Sequence, residues 1–324
     1  MVNIPWVTDQ ASVPEEPVAQ PRVALALGGG SVRGGAHIGV LEVLQRHGFY
    51  PDLVTGTSVG ALVGAFYAAG MPASEMLATA SLLNVNTLLD TPPGPLDLAV
   101  VGSRVLLEAA GVQNRWLHPA PSGLTAGRLF EEWIREHLPV KTFRALPLPL
   151  AVVAADLRSG DRVLMVPRAW QPPTAEQQED TVFLALADVA SAVRASTSIP
   201  WVYTPKRLAG RLLIDGGVLE PVPAPTARLL GARRVIAVDL GYEAETLADI
   251  HGMSRVLSRA ASISQRHLTK WQLATTADLV IRPHVRPLAL TEVEAIPEMA
   301  AAGRAAAEAA MPDIARLFAE AEAS

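Results

Sequence analysis

The stretch Pro51–Gly70, PDLVTGTSVGALVGAFYAAG, divides into three pieces. Pro51–Thr55, PDLVT, reads as a short strand. Ala61–Ala69 is an apolar run closed by Gly70 and Pro72, which is how a helix usually ends. Between them, Gly56-Thr57-Ser58-Val59-Gly60 fits G-x-S-x-G. In that pattern two glycines make room for a sharp strand-to-helix turn, and the serine hydroxyl stands clear above the sheet. The helix that follows points the positive end of its dipole at the same spot. In a chain with 24 glycines, one such match taken alone reads as a tight structural turn.

The strand–turn–helix unit recurs. Val23–Leu27 (VALAL) is a buried strand that runs into glycines. Gly35–Gly48 follows with Ile38, Leu41 and Leu44 at helical spacing. Leu148–Asp156 is a strand, joined by the turn LRSGD to a partner strand, RVLMVP. Phe183–Ser196 is predicted helical. Arg211–Asp215 and Arg233–Leu240 are strands separated by a helix that starts at Pro223. A long helical pattern over Met253–Thr275 precedes the strand ADLVIRP. Strand alternating with helix predicts a mostly parallel sheet covered on both faces. Residues 1–20 read as a flexible arm, 21–285 as one α/β domain and the Ala- and Glu-rich 286–324 as a helical tail. Residues 84–122 break the rhythm as an insertion, and 168–180 as an exposed loop.

Composition limits the function classes. Half of the 324 residues are hydrophobic, enough for a large core. Lys and Arg number 27 against 32 Asp and Glu, a formal charge of −5, which argues against a nucleic-acid partner. The absence of cysteine excludes disulfides, thiolate metal sites and cysteine nucleophiles. Residues 1–21 lack the basic and apolar regions of a signal peptide, and no apolar run is long enough to span a bilayer. The expectation is a cytoplasmic protein, with peripheral membrane contact left open.

A second glycine cluster, Gly28-Gly29-Gly30-Ser31-Val32-Arg33-Gly34, also lies between strand and helix. Successive glycines let backbone N–H groups converge on an anion. A nucleotide phosphate fits poorly: no Lys-Ser/Thr pair follows, and Arg33 takes the third position of G-x-G-x-x-G. With Ser58 one βα unit later, an oxyanion hole is the stronger reading. The search for a base is less decisive. His118, His137, His251, His267 and His284 follow Ser58, but none sits in a glycine-framed loop, and His37 reads as a packing residue on the first helix. Asp156, Asp215 and Asp239 each end an apolar strand, where parallel sheets bind ligands. Strand pattern does not choose among the three.

These blocks together resemble the patatin-like phospholipase family: LALGGGSVRGGAHIGVLEVL, GTSVGALVGAFYA, VRASTSIPWVYTP and LLIDGGVLEPVP, in that family's order within about Arg22–Pro283. The resemblance implies a three-layer α/β/α sandwich and a Ser-Asp dyad without histidine. Ser58 would then be the nucleophile and Asp215 the base, with Gly29, Gly30 and the Ser31 N–H as oxyanion donors. Arg33 would brace the loop or meet a lipid headgroup, and Arg194 would be structural. The implied substrate is a lipid or fatty-acyl ester, with no metal or nucleotide cofactor. A transacylase using the same dyad and a non-catalytic lipid-binding homologue are the alternatives.

Overall fold

The computed structural model describes residues 20–90, 100, 102–103, 122–167, 180–241 and 253–323. Residues 1–19 of the arm, most of the 84–122 insertion and residues 168–179 of the loop therefore lie outside the described residues, as do His118 and His251. The strands are β1 (Val23–Leu27), β2 (Leu53–Thr57), β3 (Gly123–Thr125), β4 (Leu150–Asp156), β5 (Arg162–Val166), β6 (Thr181–Ala185), β7 (Trp201–Tyr203), β8 (Lys206–Leu208), β9 (Arg211–Asp215), β10 (Arg234–Val238) and β11 (Leu279–Ile281). The helices are α1 (Gly35–Arg46), α2 (Val59–Ala68), α3 (Ala73–Ala80), α4 (Val85–Leu89), α5 (Arg128–His137), α6 (Val189–Ser196), α7 (Ala224–Leu229), α8 (Met253–Thr276), α9 (Ile296–Ala309) and α10 (Met311–Ala323).

The central sheet runs β11-β10-β1-β2-β4-β5-β6. Pairing is parallel from β11 to β4 and between β5 and β6; β4 meets β5 antiparallel. Successive strand residues point to opposite faces, and β1 sorts the layers by that rule. Val23, Leu25 and Leu27 enter one core with residues of α1, α2 and α6. Ala24 and Ala26 enter a second core with Ala224, Ala227 and Leu273 of α7 and α8. The result is the three-layer α/β/α arrangement. One local expectation is corrected: Phe183–Ser196 is not helical throughout. Thr181–Ala185 pairs with β5 as a strand, and the helix starts only after Asp188, whose carboxylate accepts from the Ser191 amide as an N-cap.

The C-terminal segment packs against the first layer. A Cβ on Gly39 of α1 would lie 2.0 Å from the Ala300 carbonyl oxygen of α9, and one on Gly303 would lie 2.0 Å from that of Ala36. The two backbones therefore touch, which only glycine permits. Ile296, Met299, Ala300 and Ala307 are buried along this contact.

Candidate active site

The site is set by strand register. β5 occupies one edge of β4 over Ala155 to Val152. On the other edge β2 runs parallel and ends with Thr57 opposite Val153. On that same edge β9 runs the opposite way and ends with Asp215 opposite Ala154. Two strands thus meet head-on along one edge, and the residues at their tips, Ser58 and Asp215, become neighbours. The sequence pattern identified Asp215 as a strand end but not that its strand is antiparallel.

Ser58 sits at φ 55°, ψ −124°, a conformation disfavoured for any residue with a Cβ. Close packing holds it there. A Cβ on Gly60 would fall 2.0 Å from the Leu27 carbonyl oxygen, so α2 begins in contact with the end of β1. The Ser58 amide donates to Ser196 Oγ at 2.9 Å, and that hydroxyl donates to the Val153 carbonyl at 2.6 Å. Ser196 therefore satisfies a buried amide at the turn and ties it to β4. Sequence reasoning missed this residue, although it lies in the VRASTSIPWVYTP block.

Asp215 is 8% exposed. Burial pushes its carboxyl pKa up to about 6, against the opposing effects of hydrogen bonds from the Ser58 side chain and the Gly217 amide. The Gly217 N–H reaches Oδ1 at 2.8 Å, and the Asp215 amide donates to the Ser198 carbonyl at 3.0 Å. Desolvation is the larger effect, and no cation among the described residues offsets it. The other two aspartates are braces. Asp156 accepts from Arg211 at 2.7 Å and from the Arg158 amide at 3.0 Å. Asp239 accepts from the Gly241 amide at 2.9 Å and from Arg282 at 3.2 Å.

The glycine loop lies against Ser58: a Cβ on Gly29 would be 3.4 Å from that of Ser58. One expected donor is corrected here. The Gly29 N–H is already bonded to the Pro221 carbonyl at 2.9 Å, so it is not available to an oxyanion. The Gly30 and Ser31 amides, at the start of the short 3-10 turn Ser31–Gly34, have no acceptor among the described residues. Arg33 braces this loop. Its Nε donates to the Gly30 carbonyl at 3.1 Å and a terminal nitrogen donates to the Gly241 carbonyl. Arg194 is also structural, donating to Gly127, Ala126 and Ser198 and lying 4.3 Å from the Tyr203 ring centre.

His37 is buried behind the loop. Its Nε2 donates to the Gly28 carbonyl at 2.7 Å, and burial lowers its pKa to about 4, so the ring is neutral. His137 bonds the Trp133 carbonyl and stacks on that indole, while His267 and His284 are exposed. None of these four bonds Ser58. Among the described residues no three His, Asp or Glu side chains converge as a metal site.

Ser58 and Ser31 open into a cavity of about 90 Å³ with apolar walls that include Val59, Leu62, Leu83, Phe130 and Ile199. Leu88, from the described edge of the insertion, lines it too. So do Leu290, Val293 and Ile296, which the sequence reading assigned to the C-terminal tail. The arrangement combines a hydroxyl, a desolvated carboxylate, two unengaged amides and an apolar recess.

A family model described as patatin-like phospholipase matches residues 25–228. Similar curated proteins include an uncharacterised NTE family protein of Mycobacterium bovis, 33% identical over 232 residues that make up 71% of this chain and 52% of that one. Another is patatin-like phospholipase domain-containing protein 6 of Homo sapiens, 32% identical over 235 residues, 72% of this chain and 14% of that one. The chain thus spans about half the length of the mycobacterial relative and far less of the human one. Among solved structures, VipD from Legionella pneumophila aligns over 91% of this chain and 67% of its own, at a TM-score of 0.49 and 14% identity.

Proposed function

The chain belongs to the patatin-like phospholipase family, and we propose that it hydrolyses carboxylic esters of lipids with Ser58 as nucleophile and Asp215 as base. The observation that carries this is the pairing of the Ser58 hydroxyl, which lines an apolar cavity, with a buried carboxylate. Ser58 Oγ attacks the acyl carbon and its proton passes to Asp215. The carbonyl oxygen takes the charge and is stabilised by the Gly30 and Ser31 N–H groups, each worth about 3 kcal/mol in such sites. Collapse expels the alcohol, which takes the proton from Asp215. A water then attacks the acyl-enzyme, gives its proton to Asp215, and the fatty acid leaves as Ser58 recovers a proton.

A carboxylate in water is too weak a base for serine. Burial raises its proton affinity toward working pH, and the apolar walls around Ser58 keep that effect in force. The same walls favour a hydrocarbon acyl group over a polar one. The substrate is one presented at a lipid surface, and a cytoplasmic enzyme that meets membranes peripherally fits this chemistry.

The test is hydrolysis of a short p-nitrophenyl ester and a phospholipid panel by wild type, Ser58→Ala and Asp215→Asn, with fluorophosphonate labelling of Ser58. Each variant is expected to lose at least about 1,000-fold in kcat/KM, and only proteins with Ser58 should label. Wild-type rates in both variants would refute the dyad.

A further inference from the structure

Resting on the lipid-ester reading above, we propose that the outward face of α8 is a docking surface for an anionic lipid membrane. The helix spans Met253–Thr276 and holds four Arg or Lys but no Asp or Glu, in a chain whose net charge is −5. Arg259, Arg266 and Lys270 recur at spacings of seven and four, so they form one row along the helix. With His267 they line a single groove. No ion pair engages these three cations among the described residues. Beside the row stand Val256, Leu257, Ile263 and Trp271, all solvent-exposed, with Leu257 60% and Trp271 68% accessible. A cationic row flanking exposed leucine and tryptophan is the pattern of a helix lying in a lipid headgroup layer.

The helix is longer than the strands it covers. Twenty-four helical residues span about 36 Å, whereas a five-residue strand spans about 17 Å. The inner face is docked from its C-terminal end: Arg228 bonds the Thr276 carbonyl, Gln272 bonds that of Leu219, and Gln265 bonds that of Gly217. The twelve residues before Gln265 extend about 18 Å beyond the last of these bonds. Gly217 is the residue whose amide binds Asp215. A membrane on the outer face of α8 would therefore lie about one helix width, roughly 10 Å, from the loop holding the base. A second copy seated face to face is disfavoured, because a two-fold contact sets like-charged rows against each other.

The experiment is flotation of the Ser58→Ala protein with phosphatidylcholine vesicles, with or without phosphatidylserine. Binding is expected only to the anionic vesicles and should weaken with salt. Arg259→Gln/Arg266→Gln/Lys270→Gln in the same background should bind on the order of 100-fold more weakly, about fivefold per cation. In the Ser58 background the triple variant should hydrolyse a soluble short-chain ester at an unchanged rate and vesicle phospholipid more slowly. Equal binding by the triple variant, or equal binding to uncharged vesicles, overturns the proposal. So does a triple variant that turns a dimer into a monomer by sedimentation while its vesicle binding is unchanged. Absence of soluble-ester hydrolysis in the wild type would instead count against the dyad and leave the vesicle result standing.

Discussion

At the scale of single residues, the proposed chemistry depends on how Asp215 is solvated. Its folded pKa of about 6 lies above the ordinary carboxylate value, so folding favours the protonated form. The proposed mechanism needs the ionised form, so kcat/KM on a soluble ester should rise with pH through about 6 and then level off. Stability should run the other way. The contribution of protonated Asp215 is complete below the unfolded pKa and is lost as pH rises through about 6. Asp215→Asn should thus stabilise the fold at pH 8 by about 2–3 kcal/mol in denaturant titrations, with no gain near pH 4. An unshifted profile would mean that the carboxylate is hydrated. Ser58 offers a separate measurement, because its positive φ strains any side chain. Ser58→Gly should be more stable than Ser58→Ala by about 1 kcal/mol, although both are expected to be inactive. Equal denaturation midpoints would argue that the turn is relaxed.

At the scale of elements, the sequence exposed what is local and hid what is relational. The G-x-S-x-G turn and the glycine loop were legible because each conformation is written in adjacent residues. The head-on meeting of β2 and β9 was not, since it is decided by which residues of β4 each strand pairs with. Gly29 was misjudged for a similar reason: its amide partner, Pro221, is remote in sequence. Ser196 was overlooked because a hydroxyl bridging a distant amide to a distant carbonyl leaves no spacing to read. The contact between α1 and α9 is testable at this scale. Gly303→Leu would drive a side chain into the Ala36 carbonyl and should lower stability by about 3 kcal/mol. It should also raise KM for long acyl substrates, because Ile296 at the start of α9 forms part of the cavity wall. A variant with wild-type midpoint and KM would show that the helices do not approach so closely.

At the scale of the whole molecule, the three layers were legible because alternating strands and helices leave few other ways to cover a parallel sheet. Less legible was how much of the recess comes from outside the motif blocks: Leu290, Val293 and Ile296 carry no signature beyond being apolar. The abutting strand tips also bear on how the protein fails. Ser58 and Asp215 are held beside consecutive residues of β4, Val153 and Ala154, so fluctuations of the surrounding helices have little leverage on the gap between them. Warming should then leave soluble-ester turnover intact until the sheet itself parts, with activity and far-ultraviolet circular dichroism vanishing in one transition. Inactivation well below that transition would locate the weak point in the walls of the recess, away from the reacting pair.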